Sequence, residues 1–181
     1  MNRVEKALQM AIKAHTGQVD KAGQPYINHP VYLALQMRDA TEQATALLHD
    51  VLEDSNMFTF EDIETACGSD VADAVLCLTH KEHENYFDYI KRVKTNSVST
   101  FVKIADLHHN MDLSRISNPT EKDKQRVLKY EKAYAYLMGD IMTYESIDLK
   151  FDNKNRCVCC GKELDDDSHK VCDKCASEFK F

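Results

Sequence analysis

The chain has 181 residues, of which 43% are apolar, so it is long enough for one well-packed domain and a small appendage. Its formal net charge of −7 argues against a general binder of nucleic acids or of membrane surfaces, and an anionic ligand would need a local cation. There is no secretory signal and no apolar run of transmembrane length, which predicts a cytoplasmic, reduced protein.

Short helices are predicted along most of the chain, because apolar residues recur at helical spacing and no segment alternates like a strand. Asn2 and Glu5 form a plausible capping box for the first helix, which is expected to run to about His15. A loop over residues 16–30 follows, since it contains two glycines and two prolines. Further helices are predicted over 31–37, from Thr41 or Glu42 through Asp54, and over 60–66, 71–78, 86–93, 100–111 and 121–142. The predicted fold class is therefore all-α.

Polar side chains interrupt the apolar central helix at His49, Asp50, Glu53 and Asp54. Residues four apart share a helix face, so we expect His49 beside Glu53 and Asp50 beside Asp54. Burying ionised groups is costly without a compensating partner, and a divalent metal ion such as Mn, Zn or Fe is the expected one. For the His-Asp dipeptide alone, a solvated helix end with unrelated acids is the alternative.

Three other segments carry candidate functional residues. His29 precedes Pro30, which favours an extended backbone at a loop–helix junction, where a histidine points into a cleft or caps the next helix. Asp106 and Asn110 lie four apart on one helix face, where an ordinary surface acid is the alternative. Arg115 is a candidate anion contact or a surface charge.

Three motifs, KAGQPYINHP (21–30), LLHDVLED (47–54) and VKIADLHHNM (102–111), occur in this order and at these spacings. Together they resemble the hydrolase domain of RelA/SpoT-type proteins and the stand-alone small alarmone hydrolases, within the HD superfamily of metal-dependent phosphohydrolases. The resemblance covers roughly residues 3–140. It implies an HD-domain multi-helix bundle that removes the 3′-pyrophosphate of ppGpp or pppGpp and releases GDP or GTP.

The resemblance also implies a role for each matched residue. The four that match ligands of a Mn²⁺ ion are His29, His49, Asp50 and Asp106. Glu53 and Asp54 match the acid pair that orients and activates the attacking water. Lys21 matches a basic residue beside the nucleotide, and Asn110 matches a polar contact on the ribose or phosphate side.

The chain departs from the family pattern in its substrate pocket and not at its metal site. Asp20 stands beside Lys21 where many alarmone hydrolases have two basic residues, and Asp112 and Leu113 stand where they tend to carry a basic and a hydroxyl residue. The segment that contains His80, Lys81 and His83 also differs, and it either supplies substitute contacts or is a solvated loop. Two functions are alternatives to hydrolysis of ppGpp. One is an HD phosphohydrolase for another nucleotide or a phosphorylated cofactor, and the other is a non-catalytic nucleotide-sensing interaction module.

Five of the seven cysteines crowd the last 25 residues. Four of them form two C-x₂-C pairs that predict a structural, tetrahedral Zn²⁺ site: Cys157, Cys160, Cys172 and Cys175. Cys159 and His169 are less favoured ligands, and a disordered reactive tail is the alternative. We therefore predict a hydrolase domain over 1–143, a linker over 144–156 and a zinc-ribbon or treble-clef-like tail over 157–181. The tail would stabilise the protein or contact a partner, either another protein or a second copy of this chain.

Overall fold

The computed structural model describes residues 1–116 and 118–139, apart from the side chain of Arg115. These residues form helices without a β-strand, and Val19 and Pro25 make one isolated antiparallel bridge. The α-helices are α1 (Arg3–Ala14), α2 (Asn28–Ala34), α3 (Ala40–Leu48), α4 (Val51–Asp54), α5 (Phe60–Cys67), α6 (Ser69–Leu78), α7 (Tyr86–Lys94), α8 (Ser97–Met111) and α9 (Glu121–Met138). The predicted all-α fold is confirmed for this part of the chain. The predicted end of the last helix at 140–142, the linker and the cysteine tail lie outside the described residues.

The contacts divide the chain into two compact units, Met1–Asn118 and Pro119–Phe181. The first contains α1 to α8 and a 3₁₀ turn at Leu113–Arg115. In the second, the structure describes α9, which begins with a capping box formed by Thr120 and Asp123. Within the described residues, no helix combines the length and the apolar character needed to cross a membrane.

Helix α3 forms the centre of the first unit, where it packs against α1, α2, α6 and α8. Six of its nine residues are buried, because alanines and leucines fill its length: Glu42, Ala44, Thr45, Ala46, Leu47 and Leu48. Leu48, at its end, is fully buried. The chain that follows α3 therefore starts inside the core, which buries His49 and leaves Asp50 half-buried.

The predicted continuous central helix is wrong, because the chain turns at His49 and Asp50 and divides it into α3 and α4. His49 Nδ1 approaches the Ala46 carbonyl at 2.8 Å. In an uninterrupted helix that carbonyl would accept the amide of residue 50. Asp50 has φ −104° and ψ −2°, a bridge conformation in which the backbone turns out of the helix. The Glu53 amide therefore donates to the Asp50 carbonyl at 3.1 Å and not to that of His49, whereas the Asp54 amide still donates to the Asp50 carbonyl at 2.8 Å. The four-residue helical spacing is kept by Asp50 and Asp54 but not by His49 and Glu53.

Helix α2 begins at Asn28 and not at Val31, so His29 lies in its first turn. Pro30 is tolerated there because the first amides of a helix have no partner within the helix. The extended backbone predicted for His29 is therefore wrong. The amide of His29 instead donates to the Tyr26 carbonyl at 2.9 Å, so the start of the helix holds this residue in place.

Candidate metal centre

Four side chains from three separate segments converge in the first unit. His29 Nε2 lies 3.1 Å from Asp106 Oδ1, and His49 Nε2 lies 4.0 Å from the same oxygen. His49 Nε2 is also 2.9 Å from Asp50 Oδ2. One ligand atom each from His29, His49 and Asp50 lie within 4.8 Å of one another. The structure thus brings together all four residues that the sequence predicts as Mn²⁺ ligands, while the role itself stays a prediction.

The His49 imidazole has the geometry of a metal ligand. It is 3% exposed, and the contact of Nδ1 with the Ala46 carbonyl assigns the ring proton to Nδ1. The opposite nitrogen, Nε2, is buried and has no hydrogen-bond partner among the described residues, although a carboxylate oxygen is 2.9 Å away. Two acceptors this close need a cation between them. A divalent ion meets that need, since imidazole and carboxylate are both ready ligands for Mn²⁺ and Zn²⁺.

Without an ion, the same pocket favours a proton. Burial alone would lower the pKa of His49, but the Asp50 charge outweighs burial and raises this pKa to about 9. Burial alone would raise the pKa of Asp50, but His49 outweighs it and lowers that pKa below its usual value. The site is therefore built to hold positive charge, whether that charge is a proton or a metal ion.

Asp106 is surrounded by donors from its own helix, α8. Lys103 Nζ lies 2.8 Å from Oδ2, and the Asn110 side-chain amide donates to Oδ1. Burial would raise the pKa of Asp106, but Lys103 holds it well below its ordinary range. Lys103 was not among the predicted site residues, although its spacing of three residues from Asp106 signals a contact on one helix face. Asn110 contacts Asp106 here, and its role toward substrate stays a prediction.

The remaining candidate ligand, His29, has an aromatic ring partner in His109. His29 Nδ1 lies 2.8 Å from His109 Nδ1, so one of these nitrogens must donate to the other. The His109 ring in turn packs on Tyr32, with ring centres 4.4 Å apart. If His29 keeps Nε2 free for an ion, its proton is on Nδ1 and points at His109. Such partners fix the tautomer and the ring orientation of a metal-ligating histidine.

Tyr26 is a second neighbour that sequence reasoning missed. Its hydroxyl donates to Asp50 Oδ2. Burial, together with the nearby Asp50 charge, raises the pKa of Tyr26 far above its ordinary value, so the phenol remains a donor at any physiological pH. Its place in the motif, three residues before His29, was the available signal.

The acid pair lies on α4, beside the converging ligands. Glu53 Oε2 accepts a hydrogen bond from the His80 amide at 2.9 Å. The backbone carbonyl of Asp54 is 3.2 Å from Gln18 Nε2, which donates to it. Burial and the charges of Asp50 and Glu53 raise the pKa of Asp54. Asp54 therefore accepts a proton more readily than an ordinary aspartate.

His15 follows α1 and is 3% exposed. Its Nδ1 lies 2.8 Å from Gln18 Oε1, and its ring centre lies 4.8 Å from that of Tyr26. Gln18 donates through Nε2 to Asp54, so its Oε1 accepts from His15, and His15 Nε2 is left as a buried acceptor with no partner in the described structure. His15 thus belongs to the surroundings of the acid pair.

The residues that depart from the family pattern have local structural roles. Asp20 Oδ1 accepts the amides of Ala22 and Gln24 at 2.9 and 2.8 Å, which closes the turn that carries the exposed Lys21. Asp112 Oδ1 accepts the Ser114 amide at 2.9 Å and caps the 3₁₀ turn, in which Leu113 is half-buried. The predicted contact of Arg115 lies outside what the structure describes.

The helical fold and this cluster of histidines and carboxylates define the class of protein. The HD domain family matches residues 7–131, and the chain belongs to this family. Within this family, the chain is similar to SpoT/RelA-type proteins, which is the resemblance that the sequence predicts.

Three relatives illustrate this type. The bifunctional (p)ppGpp synthase/hydrolase SpoT of Escherichia coli K12 is 31% identical over 151 residues, which cover 75% of this chain and 21% of that protein. A GTP pyrophosphokinase of Myxococcus xanthus is 30% identical over 152 residues, which cover 74% of this chain and 19% of that protein. The chain thus spans about a fifth of the length of these curated relatives. A solved structure of a metazoan ortholog of SpoT that hydrolyzes ppGpp superposes with a TM-score of 0.64 at 25% identity, and covers 76% of this chain and 86% of that one.

Proposed function

We propose that this protein is a Mn²⁺-dependent hydrolase that removes the 3′-pyrophosphate from ppGpp or pppGpp. The observation that carries the proposal is the convergence of His29, His49, Asp50 and Asp106 beside an acid pair at Glu53 and Asp54. The activity named for the SpoT-type relatives supports the choice of substrate.

The metal would be held by the two imidazole nitrogens and the two carboxylates. The orphaned Nε2 of His49 and the mixed nitrogen and oxygen donor set support this assignment. When bound, such an ion lowers the pKa of a coordinated water and compensates the charge of phosphate oxygens. Lys103, Tyr26 and His109 would hold three of the ligands in the orientation that binding requires.

The acid pair would handle the protons of the reaction. The bond that breaks joins the ribose 3′-oxygen to phosphorus, the oxygen of water joins the phosphorus, and the 3′-oxygen leaves with a proton. Glu53, aimed by the His80 amide, accepts the proton of the water. Asp54, whose pKa is raised by burial and by Asp50 and Glu53, is suited to hold the proton that passes to the 3′-oxygen.

The substrate contacts at Lys21, Asn110 and Arg115 remain part of the proposal. A second candidate function is hydrolysis of another nucleotide or of a phosphorylated cofactor. The structural use of Asp20 and Asp112 favours it, because both carboxylates bind backbone amides where the alarmone hydrolases tend to present basic side chains. A non-catalytic nucleotide sensor is less favoured, because a binder does not need the acid pair.

The test is an assay of the purified protein with Mn²⁺ against ppGpp, GTP, deoxynucleoside monophosphates and NADPH. Release of pyrophosphate from ppGpp supports the leading proposal. Release of orthophosphate from another compound supports the second candidate instead. Tight binding without turnover would leave only the sensor. Glu53→Ala should keep Mn²⁺ binding and lose turnover, whereas the exposed Glu64→Ala on α5 should change neither.

The zinc tail is a separate proposal. We expect Cys157, Cys160, Cys172 and Cys175 to bind one Zn²⁺, with the hydrolase domain over 1–143 and a linker over 144–156. A unit this small would fold only with its metal, and it would serve stability or contact with a protein partner. Metal analysis of the purified chain tests this, because replacement of Cys172 by Ser should remove one zinc per chain.

A further inference from the structure

The end of α6 is closed by side chains from α7. A helix leaves its last four carbonyls without partners inside the helix, and buried ones must find another donor. Arg92 Nη1 donates to two of these carbonyls, Leu76 at 3.1 Å and Cys77 at 3.0 Å. The Tyr89 hydroxyl donates to the Leu78 carbonyl at 2.6 Å. Arg92 Nη2 then reaches the carbonyl of Thr79, the residue after the helix, at 3.0 Å.

Arg92 also binds the connection that follows. Its Nε and Nη2 donate to the two carboxylate oxygens of Glu84 at 2.9 and 2.6 Å. All five donors of the guanidinium are therefore used, which a lysine ammonium cannot reproduce with three donors on one atom. Glu84 also accepts the Lys81 amide at 3.1 Å, and His83 within this turn has φ 62°, a left-handed conformation that the closure of the turn holds in place.

His80 lies in the sequence between Thr79 and Glu84, both of which Arg92 binds. Its amide donates to Glu53 Oε2 at 2.9 Å, and its ring packs edge-on against Tyr89 with centres 5.1 Å apart. The amide of His80 belongs to the same peptide unit as the Thr79 carbonyl that Arg92 binds. A shift of the guanidinium therefore moves the peptide that aims the Glu53 carboxylate.

We infer that Arg92 is a positioning residue for the reaction: it holds the Thr79–His80 peptide so that the His80 amide fixes Glu53 beside the metal ligands. The inference rests on the role proposed above for Glu53. It extends that role to a side chain 39 positions away in the sequence, on a helix that carries none of the predicted ligands.

The experiment compares Arg92→Lys with the wild-type protein by two independent readouts. Amide hydrogen exchange, resolved by NMR, should be faster at His80 in the variant, because the peptide has lost its anchor. With ppGpp and Mn²⁺, kcat should fall by about 10- to 100-fold with little change in KM, since a small misplacement of a catalytic group affects the transition state more than substrate binding.

Arg38→Lys is the matched control. Arg38 also forms a charged, two-pronged hydrogen-bond pair with a glutamate, Glu42, and lies over the Phe101 ring at 3.9 Å. Within the described residues, its hydrogen bonds do not reach the His80 segment or the acid pair. It should lower the melting temperature without changing kcat or exchange at His80. If Arg38→Lys and Arg92→Lys lower kcat in proportion to lost stability, the role of Arg92 is only structural and the inference is wrong.

A coupling measurement completes the test. In a Glu53→Ala background, Arg92→Lys should cause no further loss of residual turnover, because both changes act through the same carboxylate. A full additive loss would contradict the inference. If Arg92→Lys does not fold, Glu84→Gln serves instead and should increase exchange at His80. Absence of wild-type ppGpp turnover would count against the proposed function, whereas unchanged exchange at His80 would overturn the positioning role whatever the substrate is.

Discussion

Lys103 Nζ lies 2.8 Å from Asp106 Oδ2, three residues away on α8, and the two side chains are 14% and 7% exposed. The other oxygen of Asp106 faces the imidazoles of His29 and His49. Lys103 thus stabilises the charge of this buried carboxylate at Oδ2, while Oδ1 is directed at the candidate metal centre. Removal of either partner would leave a charge with little solvent to stabilise it.

Lys103→Met should therefore weaken Mn²⁺ binding by about 10- to 100-fold, the usual effect of losing a group that orients a ligand. It should also destabilise the metal-free protein by about 3 kcal/mol, because Asp106 loses its buried partner. Titration calorimetry with Mn²⁺ and chemical denaturation measure the two effects. Lys91→Met is the control, since Lys91 pairs with Asp88 at the same spacing but on the surface. Equal effects of the two substitutions would contradict the role of Lys103.

Mn²⁺ binding should weaken as the pH falls. Because the Asp50 charge raises the pKa of His49 to about 9 in the metal-free protein, this imidazole is protonated at neutral pH. The ion must displace that proton, so the apparent affinity should drop up to about tenfold for each pH unit below this pKa. Dissociation constants measured between about pH 6.5 and 8.5 test this, and a constant affinity across the range would show that His49 is not a ligand.

The same shift predicts the pH dependence of the metal-free fold. A raised pKa means that protonated His49 stabilises the folded state, fully below its unfolded pKa of about 6.5. This contribution is lost as the pH rises through about 9. The melting temperature of the metal-free protein should therefore fall over that interval. In a His49→Gln variant this particular decline should be absent, and its persistence would assign the decline to another group.

Tyr26→Phe should weaken Mn²⁺ binding by about tenfold, because Asp50 loses the hydroxyl that orients its Oδ2. The fold should be retained, since the aromatic ring still packs on His15. Tyr134→Phe on α9 removes a hydroxyl far along the chain from the candidate centre and should leave the affinity unchanged. An unaltered affinity in Tyr26→Phe would mean that Asp50 needs no second partner.

Mn²⁺ should raise the melting temperature of the wild-type protein, because an ion that binds only the folded state stabilises it by mass action, by about 2.7 kcal/mol at a hundredfold excess over Kd. Asp50→Ala should abolish this increase. A similar increase in Asp50→Ala would indicate that the ion acts at another site, such as the cysteine tail.

The sequence predicted the existence and order of the helices because the apolar spacing and the capping residues are local signals. Asn2 with Glu5 opens α1, as predicted, and Gly68 follows the end of α5. Local rules failed where a tertiary demand overrides them. At the turn between α3 and α4, His49 Nε2 lies 2.9 Å from Asp50 Oδ2 and 4.0 Å from Asp106 Oδ1, and these contacts replace a continuous helix. No spacing rule within one helix contains that information.

The candidate ligands were predictable because motifs in a fixed order imply a shared site, but two of their neighbours were not. Tyr26 and His109 lie inside the quoted motifs, yet their contacts with Asp50 and His29 join segments that are distant in the sequence. The contact of Lys103 with Asp106 lies within α8, and their spacing of three residues was a local signal for it. Arg92 is harder still to find, because it acts through a backbone amide of another segment. A backbone donor leaves no trace in the residue type.

The most direct test of the account is a Mn²⁺ titration of the Asp106→Ala variant beside the wild-type protein and an Asp73→Ala control on the exposed face of α6. Electron paramagnetic resonance of free Mn²⁺ counts the ions bound per chain. We expect one tightly held ion in the wild type and in Asp73→Ala, and none at the same concentrations in Asp106→Ala. An ion that Asp106→Ala holds as tightly as the wild type would contradict the proposal that these segments meet to bind one metal.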